Sequence, residues 1–351
     1  MTEQELRAYI EAIRPADETA MDAARRRQAQ LAKPPGSLGQ LEELSIRLAG
    51  VTGQVCPAMD KCRVAVFAAD NGVVAEGVSC TPPSVTLQQA VNMTFRKTGM
   101  SAMAAAFGDD VAVVDVGIDG DVPPVGILDR KVRRGTGNIV RDDAMTRQQV
   151  LEAMAAGMEQ AALAKADGVT ALGIGEMGIG NTTVAAAIFH GLYGGEARDW
   201  VGPGTGATGE VLARKIEAVR AAVERSRAHL DDPLEVLRKL GGREVAAMAG
   251  AILAARLQRV PVVLDGYVVT AAAAVLKAMD PAALDHCLAG HVSAEPAHRA
   301  VLERLGLRPL LDLDMRLGEG SGAALAIGVV KSALACHAGM ATFAEAGVSD
   351  A

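Results

Sequence analysis

The chain has 351 residues, a formal net charge of −7, and 50% hydrophobic residues of which few are aromatic. This length allows one large domain, or one large domain with a smaller one, and the composition supplies a sizeable core of small aliphatic side chains. The negative charge argues against a nucleic-acid-binding protein, because such proteins usually carry a basic surface.

Cysteine usage and the absence of targeting signals predict a cytoplasmic protein. The five cysteines are odd in number and contain no C-x-x-C pair, which favours reduced thiols over a disulfide framework. The N-terminus is acidic and amphipathic, unlike a signal peptide, and no apolar run approaches the ~18 residues of a membrane span. Basic clusters at 25–27 and 130–134 are interpreted as solvated faces.

Helical periodicity covers residues 3–31, with a break at Pro15, and resumes over 41–48, where Gly50 is expected to end the helix. Residues 33–39 contain two prolines and two glycines, which predict a turn between these helices.

Four apolar runs predict buried strands, at 63–70, 111–116, 169–174 and 260–266. Acidic residues stand at or near three of their ends, namely Asp70, Asp115 and Asp265. Helices are predicted between and after the strands, over 85–106 with an interruption near Gly99, and over 147–165 (with Thr146 as cap), 184–189, 210–230, 245–257, 270–279 and 323–336. Alternating strands and helices predict an α/β fold with a mostly parallel sheet.

The glycine-rich segment 173–183 lies between a predicted strand and a predicted helix, which is the arrangement of an anion site. Its glycines match G-x-G-x-x-G, and Asp199 follows about 20 residues later, so a dinucleotide site is one alternative. Two features oppose it: Glu176 would face the pyrophosphate, and Asp199 does not end an apolar strand. A mononucleotide site that combines this segment with the loop 202–206 is favoured.

Three other features leave alternatives open. Lys215 is either a cation of the nucleotide site or a solvated helix residue, and Glu319, held between two glycines, is a helix cap, a general base or a stabiliser of positive charge. A third group resembles a metal cluster in composition, but its spacing does not fit a ligand set, so no metal site is predicted. It comprises His286, Cys287, His291, Glu295 and His298.

Seven short motifs in consistent order resemble the nicotinate-nucleotide–dimethylbenzimidazole phosphoribosyltransferase family. They are KPPGSLG at 33–39, DNGV at 70–73, EGVS at 76–79, GEMGIGNTT at 175–183, GPGTG at 202–206, LDG at 264–266 and GEGSG at 318–322. The resemblance runs from about residue 30 to 335.

The resemblance implies a Rossmann-like large domain at 51–324 and a small helical domain built from 1–50 and 325–351. It implies transfer of the phosphoribosyl group of nicotinate mononucleotide to 5,6-dimethylbenzimidazole, or to adenine or a phenol in some relatives, during assembly of the cobalamin nucleotide loop. The products are α-ribazole 5′-phosphate and nicotinate. A homodimer whose partner helps to cover the site is implied, with no cofactor, no metal, no nucleic acid and no membrane.

Site residues carried over by position have three roles. Glu319 matches the general base that takes the proton of the aromatic base, and Glu176 would stabilise the oxocarbenium-like charge of the transition state. Ser79 and Gln88 fall where the family contacts the aromatic base. The remaining implied substrate contacts are Gly175, Met177, Gly178, Gly180, Asn181, Thr182, Gly204, Thr205, Gly206, Lys215, Asp265 and Leu317.

Two residues depart from the family pattern. Asn71 stands where the family usually has histidine, and no aromatic residue lies near Thr81. Both lie beside the expected pocket for the aromatic base, so dimethylbenzimidazole is the default acceptor rather than an established one. Attack from the ring face opposite nicotinate would invert C1′ from β to α.

Overall fold

The computed structural model describes residues 1–349 and contains a seven-stranded sheet in the order β3-β2-β1-β4-β5-β6-β7. Every neighbouring pair is parallel, so the predicted α/β fold with a parallel sheet is confirmed. The strands are β1 Cys62–Ala69, β2 Asp110–Gly117, β3 Leu128–Asp129, β4 Ala171–Met177, β5 Val262–Leu264, β6 Cys287–Val292 and β7 Pro309–Asp312.

Fifteen α-helices occur in the described residues, with 3₁₀ turns at Gly72–Glu76 and Arg227–His229. They are α1 Glu3–Glu11, α2 Glu18–Gln30, α3 Gln40–Thr52, α4 Val85–Thr94, α5 Gly99–Ala106, α6 Arg147–Ala166, α7 Asn181–Tyr193, α8 Ala197–Trp200, α9 Gly209–Ser226, α10 Pro233–Leu240, α11 Arg243–Leu257, α12 Tyr267–Met279, α13 His298–Leu305, α14 Ser321–Gly339 and α15 Phe343–Ala346. The predicted interruption near Gly99 and the Thr146 cap of α6 are confirmed.

Alternate residues of β1 point to opposite faces of the sheet, and they pack in two separate hydrophobic cores, one on each face. Phe67 packs with the core that contains α6, α7, α11 and α12, whereas Val66 packs with the core that contains α3, α4 and α14. Small residues allow close helix packing: a Cβ at Gly157 would lie 1.8 Å from the Ala247 carbonyl oxygen. The Ala- and Gly-rich composition therefore reflects tight contact between α6 and α11.

One sequence prediction about local structure was wrong, and three strands were not predicted. Gly50 does not end α3; the helix continues to Thr52, and Gly53 forms its C-cap with φ of 72°. Gly50 instead lets α3 approach α2, since a Cβ there would lie 2.6 Å from Met21 Cγ. Strands β3, β6 and β7 were not predicted, because β3 has only two residues and β6 contains Gly290 and His291 within its buried run.

The two ends of the chain meet at α14. Leu31 forms an antiparallel bridge with Thr342, and Arg27 donates hydrogen bonds to the carbonyl oxygens of His337 and Ala338. Helix α14 packs against α3 and also against strands of the sheet. The division into domains at 1–50 with 325–351 and at 51–324 stays a prediction.

By length and composition, α14 could cross a membrane, with a mean hydropathy of 1.4, which the sequence reading did not anticipate. Within the described residues, 56% of its apolar window is buried in protein. Core helices of soluble proteins pass the same test, so the feature is weak evidence for a membrane span. In this structure, α14 packs against α3, α5 and strands of the sheet.

Candidate active site

A cleft lies at the carboxyl ends of β4 to β7, next to the point where the strand order reverses between β1 and β4. Ligands of open parallel sheets bind in this position. Most of its lining comes from the turns that follow the strands. The lining residues are Glu176, Met177, Gly178, Ile179, Asn181, Thr182, Gly204, Thr205, Asp265, Gly266, Tyr267, Val268, Ser293, Glu295, Arg316, Leu317, Gly318 and Glu319.

Strand β4 extends to Met177, so Gly173, Gly175 and Glu176 belong to the strand and not to a phosphate-binding turn. Glycine is needed at 175 because a Cβ there would lie 2.6 Å from the Glu319 carbonyl oxygen. Asp199 lies in the short helix α8. The dinucleotide alternative is therefore wrong: its first two glycines serve strand packing, and its acidic residue ends no strand.

Glu176 projects from the end of β4 into the cleft and is almost completely buried. Its Oε2 accepts a hydrogen bond from the Asn181 side chain at the start of α7. Burial raises the pKa of Glu176 to about 8, and the nearby Asp265, Glu244 and Glu319 carboxylates add to this shift. With these neighbours alone, Glu176 is therefore largely protonated at neutral pH.

Glu319 occupies the tip of the turn between β7 and α14 with φ of 66°, a left-handed conformation unusual for a residue other than glycine. Its side chain is 4% exposed. Oε1 accepts a hydrogen bond of 3.2 Å from Gln89 Nε2, whereas the buried Oε2 has no partner among the described residues. Burial raises the pKa of Glu319. A buried carboxylate with one free oxygen can accept a proton from a bound molecule.

Asp265, directly after β5, holds the turn that carries Glu319. Its Oδ2 accepts a hydrogen bond from Gly320 N at 3.0 Å, and its Oδ1 accepts one from Gly322 N at 2.6 Å. These amides lie at the start of α14, where backbone N–H groups lack helical partners. Asp265 lines the cleft, but the contacts of its carboxylate are those of a helix cap.

The loop 202–206 forms the far wall of the cleft through Gly204 and Thr205. Lys215, on α9, lies behind this loop and is 2% exposed. Its Nζ donates hydrogen bonds of 2.8 Å to Thr182 Oγ1 and to the Gly202 carbonyl oxygen. The solvated alternative for Lys215 is therefore wrong, and burial lowers its pKa to about 8.

Comparison with known proteins agrees with this arrangement. Residues 13–348 match a family described as phosphoribosyltransferase. The chain belongs to this phosphoribosyltransferase family.

Individual relatives and a solved structure also support membership of this family. A protein of Methylocella silvestris is 56% identical over 344 residues, which cover 98% of this chain and 96% of that protein. One of Rhizobium meliloti is 55% identical, covering 95% and 93%. Both are named nicotinate-nucleotide–dimethylbenzimidazole phosphoribosyltransferase. The crystal structure of CobT from Thermus thermophilus has a TM-score of 0.91 at 47% identity, covering 95% of this chain and all of that one.

The predicted site residues of this phosphoribosyltransferase fall into three groups. Within the cleft lining are the two glutamates with Met177, Gly178, Asn181, Thr182, Gly204, Thr205, Asp265 and Leu317. Behind the lining are Gly175, Gly180 and Lys215; Gly180 has φ of 91° and forms the N-cap of α7. Gly206 is exposed and lies outside the lining, one residue beyond Thr205. Outside the lining are Ser79 and Gln88.

The structure places Gln89, rather than Gln88, beside the turn that carries Glu319. Both lie on α4, but Gln88 is exposed, whereas Gln89 is half-buried and contacts Glu319. Adjacent helix residues point about 100° apart, so a one-residue difference decides which side chain reaches the cleft. Ser79 is also turned away, since its hydroxyl bonds to the Thr81 carbonyl oxygen within the same loop.

Asn71, the first departure from the family pattern, lies outside the cleft lining. Its side-chain amide donates a 2.8 Å hydrogen bond to Glu244, which is fully buried and whose pKa burial raises to about 7. A Cβ at Gly178 would lie 3.1 Å from Asn71 Nδ2. Asn71 therefore supports the back of the β4–α7 turn.

Glu295 and Arg316 line the cleft but were not predicted as site residues. Arg316 has a distant contact of 3.4 Å with the Gly204 carbonyl oxygen and is exposed. Of the remaining residues of the candidate metal group, His286 precedes β6, Cys287 and His291 lie on β6, and His298 begins α13. The ring of His291 lies 3.6 Å from Asp265 Oδ1. His286 bonds to Ile252, and His298 bonds to Ser293 N, so these histidines serve backbone hydrogen bonding.

Proposed function

We propose that this phosphoribosyltransferase transfers the phosphoribosyl group of nicotinate mononucleotide to 5,6-dimethylbenzimidazole. The products would be α-ribazole 5′-phosphate and nicotinate, with inversion at C1′, in assembly of the cobalamin nucleotide loop. The observation that carries the proposal is Glu319, a buried carboxylate with one unpaired oxygen at the edge of a cleft that also contains the glycine loop 202–206. The names of the relatives support the choice of substrates.

Glu319 is the proposed general base. The acceptor nitrogen that attacks C1′ loses its positive charge only when the proton on the other ring nitrogen is removed. Glu319 Oε2 would accept that proton, while Gln89 and Asp265 hold the carboxylate and the turn in place. A raised pKa brings this base closer to neutral pH, where proton transfer is most effective.

Glu176 is proposed to face the positive charge of the donor. The pyridinium ring of nicotinate mononucleotide is cationic, and it leaves as a neutral ring, so no acid is needed to assist departure. A cation beside Glu176 lowers the pKa of that carboxyl, which then ionises and stabilises the charge that develops on the ribose. Substrate binding would thus convert a neutral group to a carboxylate.

The phosphate is proposed to bind at the wall formed by Gly204, Thr205 and Thr182, with Lys215 behind them. The hydroxyl groups of Thr182 and Thr205 can donate to phosphate oxygens, and a buried ammonium group favours a negative charge. Arg316, which lines the same cleft, adds a second cation. Gly175, Gly178, Gly180 and Gly206 would shape the backbone around the nucleotide.

We further propose that the protein is cytoplasmic and acts as a homodimer. The support for the dimer is the family resemblance together with an apolar surface beside the cleft. Leu313 and Leu317, on the segment before Glu319, are 54% and 48% exposed. A partner subunit over this segment would bury both side chains and help to close the site.

The test is a competition assay. Purified protein receives nicotinate mononucleotide with equal amounts of dimethylbenzimidazole, benzimidazole, adenine and p-cresol, and products are identified by mass. We expect the ribotide of dimethylbenzimidazole to dominate. A dominant purine or phenol product would retain the reaction class and change the acceptor, whereas absence of nicotinate release with every acceptor would refute the proposal.

A further inference from the structure

Glu295 lies in the turn before α13 and lines the cleft, yet no step described so far uses it. It is 4% exposed, and burial raises the pKa of its carboxyl. Its backbone is held on both sides, because its N–H donates to Ser293 Oγ and its carbonyl oxygen accepts from His298 N. A buried carboxylate on a fixed turn is costly unless it has partners.

The partners of Glu295 lie in the loop 202–206. Oε1 accepts a 2.6 Å hydrogen bond from Gly204 N. Oε2 lies in van der Waals contact with Gly202, where a Cβ would come within 2.0 Å of it, and it accepts no hydrogen bond from the residues that the structure describes. The carboxylate therefore fits against a backbone segment that only glycine permits, and any side chain at 202 would displace it.

Lys215 holds the same segment from another direction. Its Nζ donates to the Gly202 carbonyl oxygen, while Glu295 accepts from the N–H two residues later. The loop is thus bonded to a buried cation and a buried anion, and the charge of each raises the stability of the other's charged form.

We infer that Glu295 is a positioning residue of the nucleotide site, which holds the loop 202–206 in the shape that receives the donor phosphate. The inference rests on the proposed function, since it assigns the phosphate to this loop. Glu295 would act through Gly202 and Gly204 and not by contact with the reacting atoms. Its loss should weaken donor binding without a matching loss in the chemical step.

The experiment is steady-state kinetics of Glu295→Ala with each substrate varied in turn. Removing an acceptor that is charged and buried should raise the KM for nicotinate mononucleotide by about 10- to 100-fold, with kcat and the KM for the aromatic base changed far less. Glu295→Gln retains an oxygen that can accept from Gly204 N, so it should restore most of the donor affinity. Glu303→Ala, on the exposed face of α13, is the matched control and should behave as the unmodified protein.

Inorganic phosphate provides a second measurement that does not depend on turnover. Titration of the unmodified protein and of Glu295→Ala should show weaker phosphate binding in the variant, and Gly202→Ala should reproduce the defect because its Cβ displaces the carboxylate. An equal rise in KM for nicotinate mononucleotide and for the aromatic base would overturn the inference. A fall in kcat with an unchanged KM for nicotinate mononucleotide would also overturn it. If the unmodified protein binds phosphate but releases no nicotinate, the proposed function fails, and the phosphate titration still decides the role of Glu295.

Discussion

Two segments of this protein have nearly the same composition and differ in what their backbones do. Each contains a glutamate among glycines before a helix, and in each the helix follows a glycine with φ near 90°, Gly180 before α7 and Gly320 before α14. In the first segment, Glu176 belongs to strand β4 and precedes the turn. In the second, Glu319 is itself part of the turn, with φ of 66°.

This difference gives the two carboxyl groups different surroundings. Glu176 is bonded to Asn181 and surrounded by other acids, and its pKa is raised to about 8. Glu319 accepts a hydrogen bond from Gln89, and its Oε2 has no hydrogen-bond partner among the residues that the structure describes. The first side chain is therefore fixed at the end of a strand and largely protonated, whereas the second lies on a turn that Asp265 caps. The comparison predicts three separable effects.

The largest effect is expected for Glu319→Gln, which keeps the shape of the side chain and removes the base. General-base catalysis contributes about 10²- to 10⁴-fold, so kcat should fall by this factor in the phosphoribosyl transfer assay. In the unmodified protein, kcat should decline as the pH falls through a pKa above the ordinary value for glutamate, because the carboxylate is the active form. Near-normal turnover of the variant would refute the role of Glu319 as base.

The second effect concerns stability, and it should distinguish Glu176 from Glu319. The unfolded chain ionises Glu176 near its ordinary pKa of 4.5, whereas the folded chain holds the proton to about pH 8. Folding therefore loses stability as the pH rises across this window. Glutamine does not ionise, so Glu176→Gln does not lose stability in this way. At pH 8 the variant should be more stable than the unmodified protein by roughly 1–3 kcal/mol.

Urea unfolding of both proteins at pH 5 and pH 8 measures this difference. The advantage of Glu176→Gln should be small at pH 5 and should grow toward pH 8. For Glu319→Gln, the difference in unfolding free energy from the unmodified protein should change less between pH 5 and pH 8 than it does for Glu176→Gln. A constant difference between Glu176→Gln and the unmodified protein at both pH values would show that Glu176 is not held neutral.

The smallest effect separates two adjacent glutamines of α4. Gln89→Ala removes the hydrogen bond that Gln89 donates to Glu319 and should lower kcat about 3- to 10-fold, in line with a net hydrogen-bond contribution of about 1 kcal/mol. Gln88→Ala is the matched control, because its side chain is exposed. Equal activities of the two variants, or a larger loss for Gln88→Ala, would contradict the observed orientation of α4.

Much of the architecture could be predicted from local pattern. Strands β1, β2, β4 and β5 are continuous apolar runs, which a parallel sheet covered on both faces requires. The motifs in order also led to the family, to Glu319 and Glu176, and to most of the residues that line the cleft. Strands β3, β6 and β7 were missed because they are short or interrupted by glycine and histidine, so periodicity carries little signal there.

Contacts between distant segments required the tertiary structure. Glu295 lies 91 residues beyond Gly204, and Gln89 lies 230 residues before Glu319, so no local pattern pairs either of them. The role of Gly175 could not be predicted either. A glycine that lets another backbone segment pack against a strand looks the same in the sequence as a glycine that binds phosphate. The amino-acid order alone determined most of the helices, the four strands β1, β2, β4 and β5, and which chemical groups are present. Folding decided which of these groups are buried side by side, and burial with neighbouring charge sets their pKa values and their chemistry.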